Sequence, residues 1–148
     1  ISNNFIGNTF NSNIRRKDTS LMEIGSSPSL MPELSLLENI KYFLFNDNIN
    51  ENMISNVLNK YELESFKSDI VGDFSSGMVK RSEIAIADLK NPKVLCIDEP
   101  KVYLDENGVD LLLNLITKRE KEGNASILSS QESIGAFTSI ERSINLND

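Results

Sequence analysis

The sequence contains no histidine and no tryptophan, one cysteine (Cys96) and four prolines. Without histidine, Ser-His-Asp and Cys-His catalysis and His-rich metal sites are excluded, and a lone cysteine forms no internal disulfide. Any chemistry therefore rests on carboxylates, hydroxyls and the backbone. Basic residues are scarce as well: 15 Lys and Arg stand against 22 Asp and Glu, a net charge of −7. The chain lacks the positive field that dominates nucleic-acid affinity, so no nucleic-acid partner is expected. Long apolar runs are also missing. The longest, around Val94 to Ile97 and Leu111 to Leu113, fall far short of the roughly 20 residues that span a bilayer. What is present is ordinary for a folding chain: 148 residues, 39% apolar and 25% charged, suit one domain with a sizeable core. The first residue is Ile1 and no charged-then-apolar signal follows it, so the chain reads as a processed or excised piece.

Periodicity then orders the elements. Residues 1 to 20, rich in Asn and Ser around Phe5, Ile6, Phe10 and Ile14, suit a short strand or two with turns. Gly25 to Pro32 is breaker-rich and reads as a loop. Ser35 and Glu38 match a capping box, which predicts a helix from about Leu36 to Phe45. Past the polar break Asn46-Asp47-Asn48, Met53, Ile54, Val57, Leu58 and Tyr61 recur at helical spacing. A third helix is expected after Gly77, with Ile84, Ala85, Ala87 and Leu89 on its buried side and a stop at Asn91-Pro92. Val94 to Ile97 reads as a strand buried on both faces, with Cys96 a small core residue. Val109 to Lys118 is a leucine-rich helix, Gly123 a stop, and Ala125 to Ser129 the next strand. Strand, helix, strand is a βαβ unit, hence right-handed with a parallel sheet.

Four short segments carry polar chemistry. In Phe74-Ser75-Ser76-Gly77-Met78 a small-residue loop opens a helix, where backbone amides and the Ser75 hydroxyl form a natural phosphate site; an ordinary serine N-cap has the same pattern. In Val94 to Pro100 two adjacent carboxylates follow a buried strand, at the edge where open α/β sheets bind ligands. Asp98 suits Mg²⁺, held through water, because that ion takes few protein carboxylates, and Glu99 is placed to accept a proton from an attacking water or orient it. A polar turn ending a strand is the plainer alternative. Tyr103-Leu104-Asp105 precedes the leucine-rich helix, for which Asp105 is also a cap. Ile127 to Gln131 presents polar groups at the same sheet edge.

Taken in order, these segments resemble the nucleotide-binding domain of ATP-binding-cassette (ABC) transporters over about residues 21 to 148. Phe74 to Met78 is similar to the family's signature loop, Val94 to Glu99 to Walker B with its catalytic glutamate, Tyr103 to Asp105 to the D-loop. Gln131 falls where the switch histidine is expected, and Ser26 where the glutamine of the glutamine loop is expected. The resemblance implies an α/β fold: a partial P-loop NTPase core of ABC-ATPase type, its parallel strands flanked by helices, plus an inserted α-helical subdomain. The implied division is 1–34 for partial core, 35–90 for the helical subdomain ending in the signature, and 91–148 for core with Walker B, D-loop and switch strand. It further implies ATP and Mg²⁺ as ligands, Glu99 and Gln131 as catalytic groups, Asp98 at the metal, and Ser75, Ser76, Gly77, Asp105 and Ser26 at the nucleotide. Implied partners are a transmembrane permease, touched near residues 36 to 45, and a second nucleotide-binding domain arranged head-to-tail. A cytoplasmic location, peripheral to the membrane through the permease, goes with them.

The chain departs from the family pattern in definite ways. The phosphate loop G-x-x-x-x-G-K-[ST], whose amides and lysine cradle phosphates, does not occur in the sequence. In the family it precedes the glutamine loop by a few tens of residues, so the chain resembles a C-terminal fragment expected to be inactive alone. Ser76 replaces a signature glycine, Gln131 carries no titrating proton, and Ser26 is shorter than glutamine. The alternatives to a turning-over transporter ATPase are a degenerate nucleotide-binding or regulatory module and a soluble ABC ATPase outside transport.

Overall fold

The computed structural model describes residues 21–45 and 47–130. Among them three parallel strands, β1 (Leu21–Ile24), β2 (Val94–Asp98) and β3 (Ala125–Ser129), form one sheet in that order. Four helices accompany them: α1 (Leu36–Phe43), α2 (Glu51–Lys60), α3 (Ser76–Lys90) and α4 (Glu106–Lys121). The expected βαβ unit is β2-α4-β3, with Val94 opposite Ala125 and Asp98 opposite Ser129. Parallel pairing needs a crossover, and the one from β1 to β2 carries α1, α2 and α3. The expected α/β core of parallel strands flanked by helices is thus present.

Local signals explain most boundaries. Ser35 and Glu38 form a full capping box at α1, Asn50 caps α2, and Asp105 caps α4. Asn91 ends α3 in the left-handed conformation before Pro92, a stop in which asparagine tolerates positive φ. Several edges differ from expectation. Helix α1 closes at Phe43, because Leu44 already caps it by bonding Ile40. Helix α3 begins at Ser76, ahead of Gly77, because Ser75 takes the N-cap. Helix α4 begins three residues before Val109, where the Asp105 carboxylate meets the Gly108 amide. No pattern in the sequence marks strand β1, whose four residues are too few to show a period. The proposed elements in residues 1–20 lie outside the described residues.

The core lies between sheet and helices. Ile24, Leu95 and Ile97 from the strands meet Ile40, Leu58, Ile84, Ile86, Leu112 and Leu115 from the helices, all buried. Each such side chain contributes about 1.5–3 kcal/mol by leaving water. Strand β2 is fully buried on only one face: Leu95 and Ile97 are enclosed, while Val94, Cys96 and Asp98 are half-buried. Burial, with Glu23 nearby, pushes the Cys96 thiol up, so it is no ready nucleophile.

Two buried charges tie the layers. Arg119 is wholly enclosed and donates to Ser126, Asn91 and the carbonyls of Pro92 and Ala125, which fixes the entry to β2 and β3. Asp88 on α3 accepts from Lys60 and Tyr61 at the end of α2 and from Lys118 on α4. A buried charge is tolerable when paired and hydrogen-bonded in this way.

Candidate functional site

The apolar run of β2 ends at Asp98 because a carboxylate belongs at the sheet's carboxyl edge rather than inside it. There the Ser129 hydroxyl donates to Asp98 Oδ1 at 2.7 Å, a contact set by the Asp98–Ser129 register. The Glu99 amide donates to the Ser129 carbonyl at 2.8 Å, and the Ser130 hydroxyl to Glu99 Oε2 at 2.9 Å. Glu99 has φ +47°, a left-handed conformation that costs a side-chain-bearing residue on the order of 1 kcal/mol. The strain turns the chain sharply at the strand end, and both carboxylates remain half-buried. The acidic pair thus sits at the carboxyl ends of parallel strands, where a ligand of an open α/β sheet binds.

The donor chemistry fits Mg²⁺. That ion keeps waters and takes one or two carboxylates, its shell completed by substrate phosphates. Asp98, Glu99 and the Ser129 hydroxyl supply hard oxygens of that kind. Among the described residues no group of three or more His, Cys, Asp or Glu gathers to hold a metal.

The serine corner lies at the start of α3. Ser75 Oγ accepts from the Met78 amide at 3.2 Å, so the serine works as an N-cap, and Ser76 is exposed in the first turn. Gly77 lies close against the segment that follows the acidic pair: a Cβ there would stand 3.0 Å from the Tyr103 carbonyl. Tyr103 is itself left-handed, φ +67°. Beyond it, Arg81 donates to both carboxylate oxygens of Asp105 and pairs with Glu62. The Arg81 hydrogen bond, then the Gly108 amide, hold the Asp105 carboxyl below its ordinary range. Asp105 is therefore occupied within the chain, as cap and as ion-pair partner.

Ser26 lies exposed in the loop after β1, between two anchors on α3. Lys80 Nζ reaches the Gly25 carbonyl and the Asp98 carbonyl, each at 3.3 Å. Glu83 Oε1 accepts from the Ser29 amide at 2.7 Å and the Ser29 hydroxyl at 2.9 Å. Gln131 lies outside the described residues, one position beyond Ser130. The individual roles of Lys80, Arg81 and Glu83 were not read from the sequence. Their signal was charge at positions of α3 that apolar periodicity assigns to the interior, and buried charges are rarely unpartnered.

Comparison with known proteins gives the family and the fold. The sequence profile described as "ABC transporter" matches residues 4–102. The chain belongs to the ABC transporter family. It is 35% identical over 113 residues to the lantibiotic transport ATP-binding protein SrtF of Streptococcus pyogenes, covering 74% of this chain and 49% of that protein. It thus spans about half the length of that relative. Among solved structures it is similar to cbiO1 of Clostridium perfringens, described as part of the ABC transporter complex cbiONQ: TM-score 0.60, 25% identity, 77% of this chain and 48% of that one. The dimeric ATP-binding cassette MJ0796, bound to ADP and Pi, shares the fold at TM-score 0.65 and 23% identity, over 76% of this chain and 53% of that one.

Within the ABC ATPase fold, the parallel strands and flanking helices take the places expected of a partial core. No helix among the described residues is long and apolar enough to cross a membrane.

Proposed function

We propose that the chain is part of the ATP-binding subunit of an ABC transporter, coupling ATP binding and hydrolysis to transport. The observation that carries this reading is the acidic pair Asp98-Glu99 at the carboxyl end of the central parallel strand, with serine hydroxyls on both carboxylates. In this reading Mg²⁺ neutralises phosphate charge when bound. Asp98 would hold it through water, Glu99 would accept a proton from the attacking water or orient that water, and Gln131 would bond the γ-phosphate. Ser26, exposed at the start of the loop after β1, would contribute its hydroxyl at the nucleotide. Asp105 acts on the nucleotide indirectly, by holding the segment Tyr103–Asp105 in place.

The start of α3, with Ser75 and Ser76 exposed beside Gly77, suits the phosphates of ATP held by a second copy arranged head-to-tail. Residues 35–90 then act as a helical subdomain between core segments 1–34 and 91–148. The exposed rings of Tyr42 (65% accessible) in α1 and Phe45 (84%) just past it support contact with a transmembrane permease, and with it a position at the cytoplasmic face of a membrane. The name of SrtF, a lantibiotic transport ATP-binding protein, supports a transport role without fixing a substrate or a direction.

ATPase measurements test the reading. The chain alone should show no Mg²⁺-dependent turnover, for want of a phosphate loop. In the full protein containing it, Glu99→Gln should cut turnover by about 10²-fold or more, the usual worth of a positioned proton acceptor, while ATP still binds. Turnover unchanged in Glu99→Gln would refute the assignment.

A further inference from the structure

Lys80 is buried, 5% accessible, yet the bonds its ammonium makes go to two backbone carbonyls. Those carbonyls belong to Gly25, just past β1, and Asp98, the last residue of β2. One side chain from the signature helix therefore pins the carboxyl ends of two adjacent strands. One turn on, Glu83, 2% accessible, takes the amide and hydroxyl of Ser29. The loop bearing Ser26 is thus held at both of its ends by α3, and the same helix touches the turn that sets Glu99. Three carboxylates, Glu83, Asp98 and Glu99, act on the Lys80 ammonium; burial lowers its proton affinity and their charges oppose that shift.

We propose that Lys80 is a positioning residue, which fixes the height of the Asp98-Glu99 turn and of the Ser26 loop relative to the signature helix. A rotation of α3 would then move the carboxylates and the loop together, so the corner at Ser75–Gly77 and the acidic pair report on one another through this side chain. The kinetic part of this inference rests on the functional reading above; the structural part does not.

The test compares Lys80→Met, which keeps the apolar stem and removes the donors, with the wild type and with Glu99→Gln. In the full protein, Lys80→Met should lower kcat at least about tenfold, since small misplacements of reacting groups are costly, with KM for ATP within about twofold. Hydrogen exchange should speed up at the Ser29 and Glu99 amides while α4 and β3 stay protected. An unchanged kcat, or exchange that rises evenly through α4 and β3, overturns the inference. If Glu99→Gln leaves turnover intact, the functional reading falls instead, and the exchange pattern alone decides the role of Lys80.

Discussion

Arg81 grips Asp105 by both carboxylate oxygens, at 2.7 and 2.8 Å, while the same aspartate caps α4 through Oδ1 and the Gly108 amide at 2.8 Å. A single carboxylate thereby joins α3 to the start of α4.

The two roles of Asp105 separate by substitution. Asparagine caps a helix about as well as aspartate but forms no ion pair, whereas alanine does neither. Thermal unfolding midpoints are expected to fall in the order wild type, Asp105→Asn, Asp105→Ala. Because Arg81 holds this carboxyl below its ordinary range, its contribution is present above the unfolded pKa and lost as pH falls through the folded one. The gap between wild type and Asp105→Asn should therefore narrow in acid, below about pH 4. Equal midpoints for Asn and Ala would show that the cap adds nothing.

The residues that could be read in advance were those whose signal is local. The capping box at Ser35 and Glu38, the stop at Asn91-Pro92 and the apolar run ending in Asp98 each state their own structure within a few positions. Strand β1 and the Lys80, Glu83 and Arg81 contacts do not, since they arise from partners 54 and 55 positions away for Glu83–Ser29 and Lys80–Gly25. The Asp98–Ser129 contact had a sequence trace, polar residues ending two parallel strands, but its register appears only when the strands pair. Asp105 shows the limit most clearly: its cap could be proposed from neighbours, while its hold on Arg81 required the fold.

Asp88 should dominate the pH response. Burial pushes its carboxyl up, but hydrogen bonds from Lys118 and Lys60, with their charges, outweigh it and hold the group below 3.8, its ordinary value. Lys118 in turn is held above its ordinary 10.5, first by the Asp88 hydrogen bond. The aspartate's contribution is present above about pH 4 and lost as acid reaches its folded pKa; that of Lys118 is present below 10.5 and lost above it. Urea midpoints should therefore form a plateau between those limits, and Asp88→Asn should flatten both shoulders. Near neutrality Asp88→Ala should cost about 1–3 kcal/mol. That is less than for a fully enclosed pair, because Lys60 and Lys118 are 36% and 46% accessible and can return to water.

Two glycines make close approaches of similar length, yet substitution should affect them differently. At Gly72 a Cβ would stand 2.9 Å from the Pro32 carbonyl, the same oxygen that accepts from the Gly72 amide at 2.9 Å. The methyl and the hydrogen bond compete for one place on rigid backbone, so Gly72→Ala should destabilise by about 1–3 kcal/mol, the range for overpacking. At Gly77 the approach to the Tyr103 carbonyl is 3.0 Å, and the residue lies in the first turn of α3, where alanine regains up to about 1 kcal/mol of helix propensity. The two effects nearly offset, so Gly77→Ala should leave the urea midpoint close to wild type. Its cost should appear instead in the segment it pushes. Tyr103–Asp105 would shift away from α3, and ATP-dependent association of two full-length copies, followed by sedimentation, should weaken. A Gly77→Ala protein that unfolds early but still associates would invert this assignment and mark the contact as a packing constraint alone.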